Sequence, residues 1–211
     1  LNENLTVKET ILTRAMFGNM TPLNVLVCKA SSNLIASMAL KDGAPNCSVL
    51  VYDPEKKETV KIIDGTFSFK WSLKRPVLYV SQAVFDEKAE GGMRNRLIAW
   101  NADDDTVSVI FDEPGIIAMT SAASDCRHIS FSCMKDYSYG RYYIYDEEDG
   151  SKIQINEENM EMGYIDSFGG KHYYLTKEGA SHGRIIAVED GLTINDAEVV
   201  REESDDVLEG I

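Results

Sequence analysis

Ser48-Val49-Leu50-Val51-Tyr52-Asp53, Arg96-Leu97-Ile98-Ala99-Trp100-Asn101, Arg141-Tyr142-Tyr143-Ile144-Tyr145-Asp146 and Arg184-Ile185-Ile186-Ala187-Val188-Glu189 are four versions of one phrase. Each has a polar start, an apolar run, then a carboxylate or amide. Their first residues lie 48, 45 and 43 positions apart. A period of roughly 40–50 residues with about four strands per unit is the sequence pattern of a β-propeller blade. Apolar residues at consecutive positions, as in Ile185-Ile186-Ala187-Val188, suit strands buried on both faces between neighbouring blades.

Working outward from each phrase predicts four units. Strands are expected at 24–29, 34–40, 48–53 and 59–63; at 67–71, 77–83, 94–100 and 107–111; at 116–122, 128–133, 141–145 and 152–155; and at 163–168, 171–176, 184–188 and 198–201. Gly, Pro, Asn and Asp clusters such as Lys41-Asp42-Gly43-Ala44-Pro45-Asn46 separate them, supplying the dihedrals that tight turns need. The expected organisation is one all-β domain, 1–211, with a lead segment 1–22 and blades at about 23–65, 66–113, 114–158 and 159–203. The stretch 5–17 has helix-compatible spacing and equally suits the outer strand of a preceding blade. Acid-rich turns follow the second, third and fourth phrases (Asp103-Asp104-Asp105, Glu147-Glu148-Asp149-Gly150, Glu189-Asp190-Gly191). They lack the spacing of a calcium loop and read as solvated hairpin tips.

Composition narrows the function. The 211 residues could bury one substantial core or two small ones, and 44% hydrophobic with 27% charged residues is ordinary for a globular chain. Nothing approaches the roughly 18 consecutive apolar residues of a membrane helix. The start, Leu1-Asn2-Glu3-Asn4-Leu5, has neither the basic flank nor the apolar run of a signal peptide, and the missing initiator Met suits an excised or trimmed chain. A net charge of −14, with 35 acids against 21 bases, argues against nucleic acid, which needs a basic stripe. The four cysteines (Cys28, Cys47, Cys126, Cys133) form no C-x-x-C pair, and His128, His172 and His182 add no metal-ligand spacing along the chain. Reduced thiols in a cytoplasmic protein, with no metal and no cofactor, are expected. The tyrosines Tyr137, Tyr139, Tyr142, Tyr143, Tyr145, Tyr164, Tyr173 and Tyr174 suit core packing, with a stacking site for sugar or peptide as the alternative.

Several stretches carry a family resemblance. Ala122-Ala123-Ser124-Asp125-Cys126-Arg127-His128-Ile129-Ser130-Phe131-Ser132 resembles the "S-x-D-G-R-Y-x-x-x-S" strand pair of the prolyl oligopeptidase family of serine peptidases. Phe168-Gly169-Gly170-Lys171-His172-Tyr173-Tyr174-Leu175-Thr176, then Gly179 and Gly183-Arg184-Ile185-Ile186-Ala187-Val188, resembles its "x-D-G-x-x-F-Y-x-L-T-N-x-x-A-P-x-G-R-I-x-A-V". Asp205-Asp206-Val207-Leu208-Glu209-Gly210-Ile211 resembles "E-x-D-V-L-E-G-V", and Phe67-Ser68-Phe69-Lys70-Trp71 through Tyr79 resembles "F-x-W-x-x-D-x-x-G-F-F-Y". The resemblance covers roughly residues 24 to 211. It implies part of a seven-bladed propeller that caps an α/β-hydrolase domain and filters substrates by size. This chain matches the central blades only, without the hydrolase domain.

The resemblance also implies that a basic residue and a cysteine of the propeller line the substrate cavity, on the loop after 129–132. Cys133, Met134 and Lys135 are the substrate-facing candidates here, although Cys133 equally suits a packed strand end. The chain has one G-x-S-x-G match, Gly179-Ala180-Ser181-His182-Gly183. A nucleophile elbow leads into a helix, whereas this one leads into a strand pattern, so catalysis by Ser181 is not expected. The primary expectation is a non-catalytic propeller region that gates short peptides, partnered by an α/β-hydrolase domain or a second propeller half. Alternatives are a closed four-bladed binding module, an open half-propeller that dimerises or docks, and a hydrolase acting through Ser181 and His182. No nucleic acid and no membrane partner is expected.

Overall fold

In the computed structural model, which describes residues 20–30, 33–41, 46–89, 92–135 and 139–204, every regular element but one is a strand. β1 (Met20–Val27), β2 (Ile35–Lys41), β3 (Cys47–Asp53), β4 (Glu58–Trp71), β5 (Val77–Phe85), β6 (Met93–Asn101) and β7 (Thr106–Glu113) form one antiparallel sheet in sequence order. β8 (Ile116–Ala122), β9 (His128–Met134), β10 (Gly140–Asp146) and β11 (Lys152–Gln154) form a second, and β12 (Met162–Phe168), β13 (Lys171–Thr176), β14 (Arg184–Glu189) and β15 (Glu198–Arg201) a third. The exception is a 3-10 turn, Ile194–Asp196. Among the described residues no helix is long and apolar enough to cross a membrane. The lead segment to residue 19, residues 136–138 and the closing 205–211 lie outside the described residues, and with them the expectations placed there.

The four repeated phrases occupy β3, β6, β10 and β14, the third strand of each blade. β3 is buried on both faces from Val49 to Asp53. One expectation is corrected. Residues 59–63 and 67–71 read as separate strands, but they are the two halves of β4. Gly65, at φ +71°, is the extra residue of a bulge between the pairs Cys47↔Thr66 and Ser48↔Asp64. Phe67 is the extra residue on the other side, between Thr66↔Gln82 and Ser68↔Ser81. Bulges bend a strand and increase its twist. The first half of β4 therefore closes the first blade, the second half opens the next, and seven strands share one ladder.

Adhesion between blades is apolar. The first blade meets the second through Val49, Val51, Phe69, Trp71, Leu78 and Trp100. The second meets the third through Tyr79, Leu97, Phe111, Ile129, Phe131 and Tyr143, with Phe131 stacked on Tyr143 at 5.0 Å. The third meets the fourth through Tyr142, Ile144, Ile155, Tyr174, Ile186 and Val188. Tyr142, Tyr143 and Tyr174 are thus core residues. Among the described residues neither end face has a neighbouring blade, although on the first Ile35, Ala39 and Leu50 are buried. On the first blade the exposed Val25, Val27 and Ile62 lie opposite the packed side, and on the fourth the half-buried Tyr173, Leu175 and Ile185 do. β1 and β15 belong to different sheets, so the described strands do not close a ring.

Candidate functional site

Antiparallel order places the loops on two rims. One carries the β5–β6, β9–β10 and β13–β14 loops; the other carries the β4–β5, β8–β9 and β12–β13 turns. The first rim holds the residues singled out from the sequence. Cys133, the last residue but one of β9, lies inside the core between the second and third blades and is 2% exposed. Its Sγ lies 3.3 Å from the Pro114 carbonyl and 3.9 Å from Arg141 Nη2. Burial pushes the Cys133 thiol up, with Arg141 opposing. The half-buried Met134 pairs with Ile116 and Gly140. Lys135 lines an open groove of about 480 Å³ with Tyr139, Glu158 and Asn159.

Cys133 and Lys135 therefore face different surroundings. The basic group beside Cys133 is Arg141, whose Nη2 also reaches Glu113 Oε2 at 3.0 Å. Arg141 is eight residues further on, the second residue of the next strand and the partner of Cys133 across the hairpin, so the order of residues in the loop hid the pair. A Cβ at Gly115 would lie 2.7 Å from Cys133 Sγ, which makes this corner tight as well as polar.

Ser181 and His182 do not form a nucleophile–base pair. Ser181 Oγ donates to Glu203 Oε1 at 3.0 Å, while His182 Nδ1 lies 3.0 Å from the Ser204 carbonyl. A strand, β14, follows at Arg184 instead of a helix. Nearby, a cleft of about 470 Å³ opens between the third and fourth blades, lined by Ile155, Glu157, Met160, Glu178 and Arg184.

The opposite rim is more highly organised than the sequence suggested. The acid-rich turns are exposed hairpin tips, as expected, and they also make polar contacts to the preceding blade. Asp105 meets Lys61 at 2.5 Å and accepts the Trp100 indole N–H at 2.7 Å. Glu147, buried, accepts from Ser72 Oγ at 2.7 Å, and Glu148 pairs with Lys74 at 2.7 Å. Asp190 reaches Arg127 at 3.6 Å and two buried imidazoles. Each turn contacts the blade before its own.

The imidazoles belong to His128, first residue of β9, and His172, second residue of β13. Their rings meet edge to face at 4.9 Å and 87°. Asp125 Oδ2 sits 2.6 Å from His128 Nδ1, and Ser167 Oγ 2.7 Å from His172 Nδ1. Both Nε2 atoms are buried without a hydrogen-bond partner. Asp190 Oδ1 lies 3.5 Å from His172 Nε2 and 3.8 Å from His128 Nε2. Burial, then the neighbouring His128, holds His172 below the usual imidazole value. Arg127 binds Asp146 in two hydrogen bonds, one from Nε at 2.8 Å, and holds the Asp146 carboxyl down despite its burial.

No family model matches the chain, and no curated protein matches it. Solved structures do. Oligopeptidase B from Leishmania major aligns at TM-score 0.74 and 14% identity, over 95% of this chain and 30% of its own. Prolyl oligopeptidase B from Galerina marginata, bound to a 25mer macrocyclization substrate, aligns at 0.68 and 14%, over 90% and 30%. The β-propeller domain of the trilobed protease from Pyrococcus furiosus, described as having an open velcro topology, aligns at 0.62 and 11%, over 89% and 58%. The fold is of the β-propeller type.

The propeller segment spans about 30% of the length of the oligopeptidase chains. At these identities the likeness concerns the path of the backbone. The residues on the two rims must carry their own chemical argument.

Proposed function

We propose that this propeller segment is a non-catalytic gate of an oligopeptidase-type serine peptidase, restricting access of peptides to an α/β-hydrolase domain. The observation that carries the reading is a row of strands that does not close a ring among the described residues, on a fold similar to that of oligopeptidases. Each interior blade face packs on a neighbour, whereas the end faces keep Val25, Val27 and Ile62 exposed at one end and Tyr173, Leu175 and Ile185 half-buried at the other. Such faces suit further blades or a second propeller half. On the first rim, the Lys135 groove and, separately, Arg141 over the buried Cys133 are the candidate peptide-facing groups. A guanidinium recognises a peptide carboxylate or carbonyl by directed hydrogen bonds. Access control is a positioning role of the kind lids perform, and needs no nucleophile on this chain. The bonding of Ser181 to Glu203 accords with that. Four free cysteines suit a reducing, cytoplasmic setting.

The test joins light scattering on the purified chain with a prolyl-peptide hydrolysis assay. The expected result is self-association without hydrolysis, with both properties unchanged in Ser181→Ala. Hydrolysis by the chain alone, abolished in Ser181→Ala, would overturn the non-catalytic reading. A stable inactive monomer would favour the stand-alone binding module instead.

A further inference from the structure

We infer that His128, His172 and Asp190 form a divalent-cation site, of the kind zinc occupies, that clasps the third blade to the fourth. The three donor atoms lie within 4.8 Å of one another. Ligands at about 2.0–2.2 Å around a tetrahedral zinc stand roughly 3.4 Å apart. The two Nε2–Oδ1 separations, 3.5 and 3.8 Å, are already close to that. Two imidazole nitrogens and one carboxylate suit zinc and its neighbours rather than magnesium or calcium, which take oxygen ligands.

The independent observation is the pair of orphaned nitrogens. His128 is 4% and His172 1% exposed, and neither Nε2 has a hydrogen-bond partner. Buried polar atoms are nearly always satisfied, so two of them facing one carboxylate oxygen call for a ligand. Edge-to-face ring packing accounts for the contact between the rings but leaves both nitrogens unsatisfied.

The outer shell fits. Asp125 accepts the Nδ1 proton of His128, which fixes the tautomer with a bare Nε2 lone pair, the usual carboxylate–histidine–metal arrangement. Ser167 Oγ holds His172 Nδ1 at 2.7 Å, orienting its ring, and is itself bonded to the Tyr164 hydroxyl at 2.7 Å. Charge favours a cation, because Asp125, Asp146 and Asp190 surround the imidazoles against one guanidinium. Arg127 engages Asp190 through Oδ2, leaving Oδ1 toward the imidazoles. Asp190, with its side chain 31% exposed, opens the site to solvent for entry of the ion and a water ligand. The site lies on the rim opposite Cys133 and Arg141, so it stands or falls separately from the gating role.

The test uses the full chain in a Cys126→Ser background, which removes the exposed thiol. Chelator-treated protein is titrated with Zn2+ by calorimetry and with Co2+ by visible absorption. The expected result is one equivalent bound, a raised Tm with Zn2+, and a tetrahedral-type Co2+ spectrum. Asp190→Asn should weaken binding at least tenfold, and Asp125→Asn, through His128, by about 10–100-fold. His182→Gln should leave affinity unchanged. Should His172→Gln fail to fold, the exposed Asp190 still permits the decisive comparison. Absence of stoichiometric uptake, or uptake unaffected by Asp190→Asn, would overturn the site and leave an imidazolium–Asp190 ion pair as the account of the cluster.

Discussion

Gly65→Ala tests how the chain passes from the first blade to the second. The residue sits at φ +71°, a region that costs an L-residue about 1–2 kcal/mol. Alanine recovers about 0.4–1 kcal/mol by restricting the unfolded chain. Conformation alone therefore costs about 0.5–1 kcal/mol. Gly65 carries a second constraint, since a Cβ there would stand 2.2 Å from the Ala83 carbonyl oxygen. That atom is backbone of β5, so relief requires β4 and β5 to part. The bonds at risk are the Thr66↔Gln82 pairing and the Gln82 Nε2 to Asp64 carbonyl bond at 2.8 Å. At about 0.5–1.5 kcal/mol each, they bring the expected loss to about 1.5–4 kcal/mol.

Gly170→Ala supplies the control. Gly169 and Gly170 form the two-residue β12–β13 turn, both with positive φ, and a Cβ at Gly170 meets nothing within 4 Å. It should lose only the conformational part. Guanidinium unfolding of both variants measures the difference, provided the slopes match the parent. Equal losses in the two variants would refute the close approach of β4 and β5 as the reason for glycine at 65.

Two isosteric tyrosine changes should move stability in opposite directions. Tyr174 buries a hydroxyl without a partner, so Tyr174→Phe should be neutral or stabilising by up to about 1 kcal/mol; Tyr142 donates to the Met162 carbonyl, so Tyr142→Phe should lose about 1 kcal/mol, both read by chemical unfolding. Cys126 adopts φ +58° where the family pattern has glycine, and Cys126→Gly should gain about 0.5–1 kcal/mol after the entropy that glycine adds to the unfolded state. Burial pushes Tyr143 up to about 12 from 10.0 and raises the Cys133 thiol above 9.0. Both groups hold their protons more tightly when folded, so the stability they confer is complete below those ordinary values and is lost as pH rises from them through the raised folded values. Unfolding free energy, read by chemical unfolding at each pH, should therefore fall above pH 9.

The strands were legible because each phrase combines an apolar run with polar punctuation, and β8, β13 and β15 begin and end where the pattern does. β4 was not. Asp64-Gly65-Thr66 has turn chemistry, and only the pairing of Thr66 with both Cys47 and Gln82 makes it continuous strand. Cys133 was legible as a strand end, but its cationic neighbour was sought in the loop, at Lys135, and found across the hairpin at Arg141. The histidine cluster was illegible for a related reason. His128 and His172 lie 44 positions apart, far beyond any local ligand spacing. That interval is one repeat, so they stand on the second strands of successive blades, and stacking the blades brings them together.

The same repeat explains why the acidic turns also act as clasps. Apolar faces adhere without strongly fixing how one blade slides on the next, because the hydrophobic effect is non-directional. A polar contact at the rim has a required geometry and so sets that register. Its form changes from blade to blade, from an exposed Lys61–Asp105 pair, through the Glu147–Ser72 bond, to Asp190 among Arg127, His128 and His172. Exposed ion pairs contribute little, so register should be held more tightly at the third and fourth blades than at the first and second. Asp53 closes the first phrase, as Asn101, Asp146 and Glu189 close the others. Its Oδ1 accepts the amides of Glu55 and Lys56 in its own turn, and Lys56 Nζ lies 3.5 Å from its Oδ2. These bonds turn the carboxylate inward on the one blade whose outer face carries the exposed Val25, Val27 and Ile62.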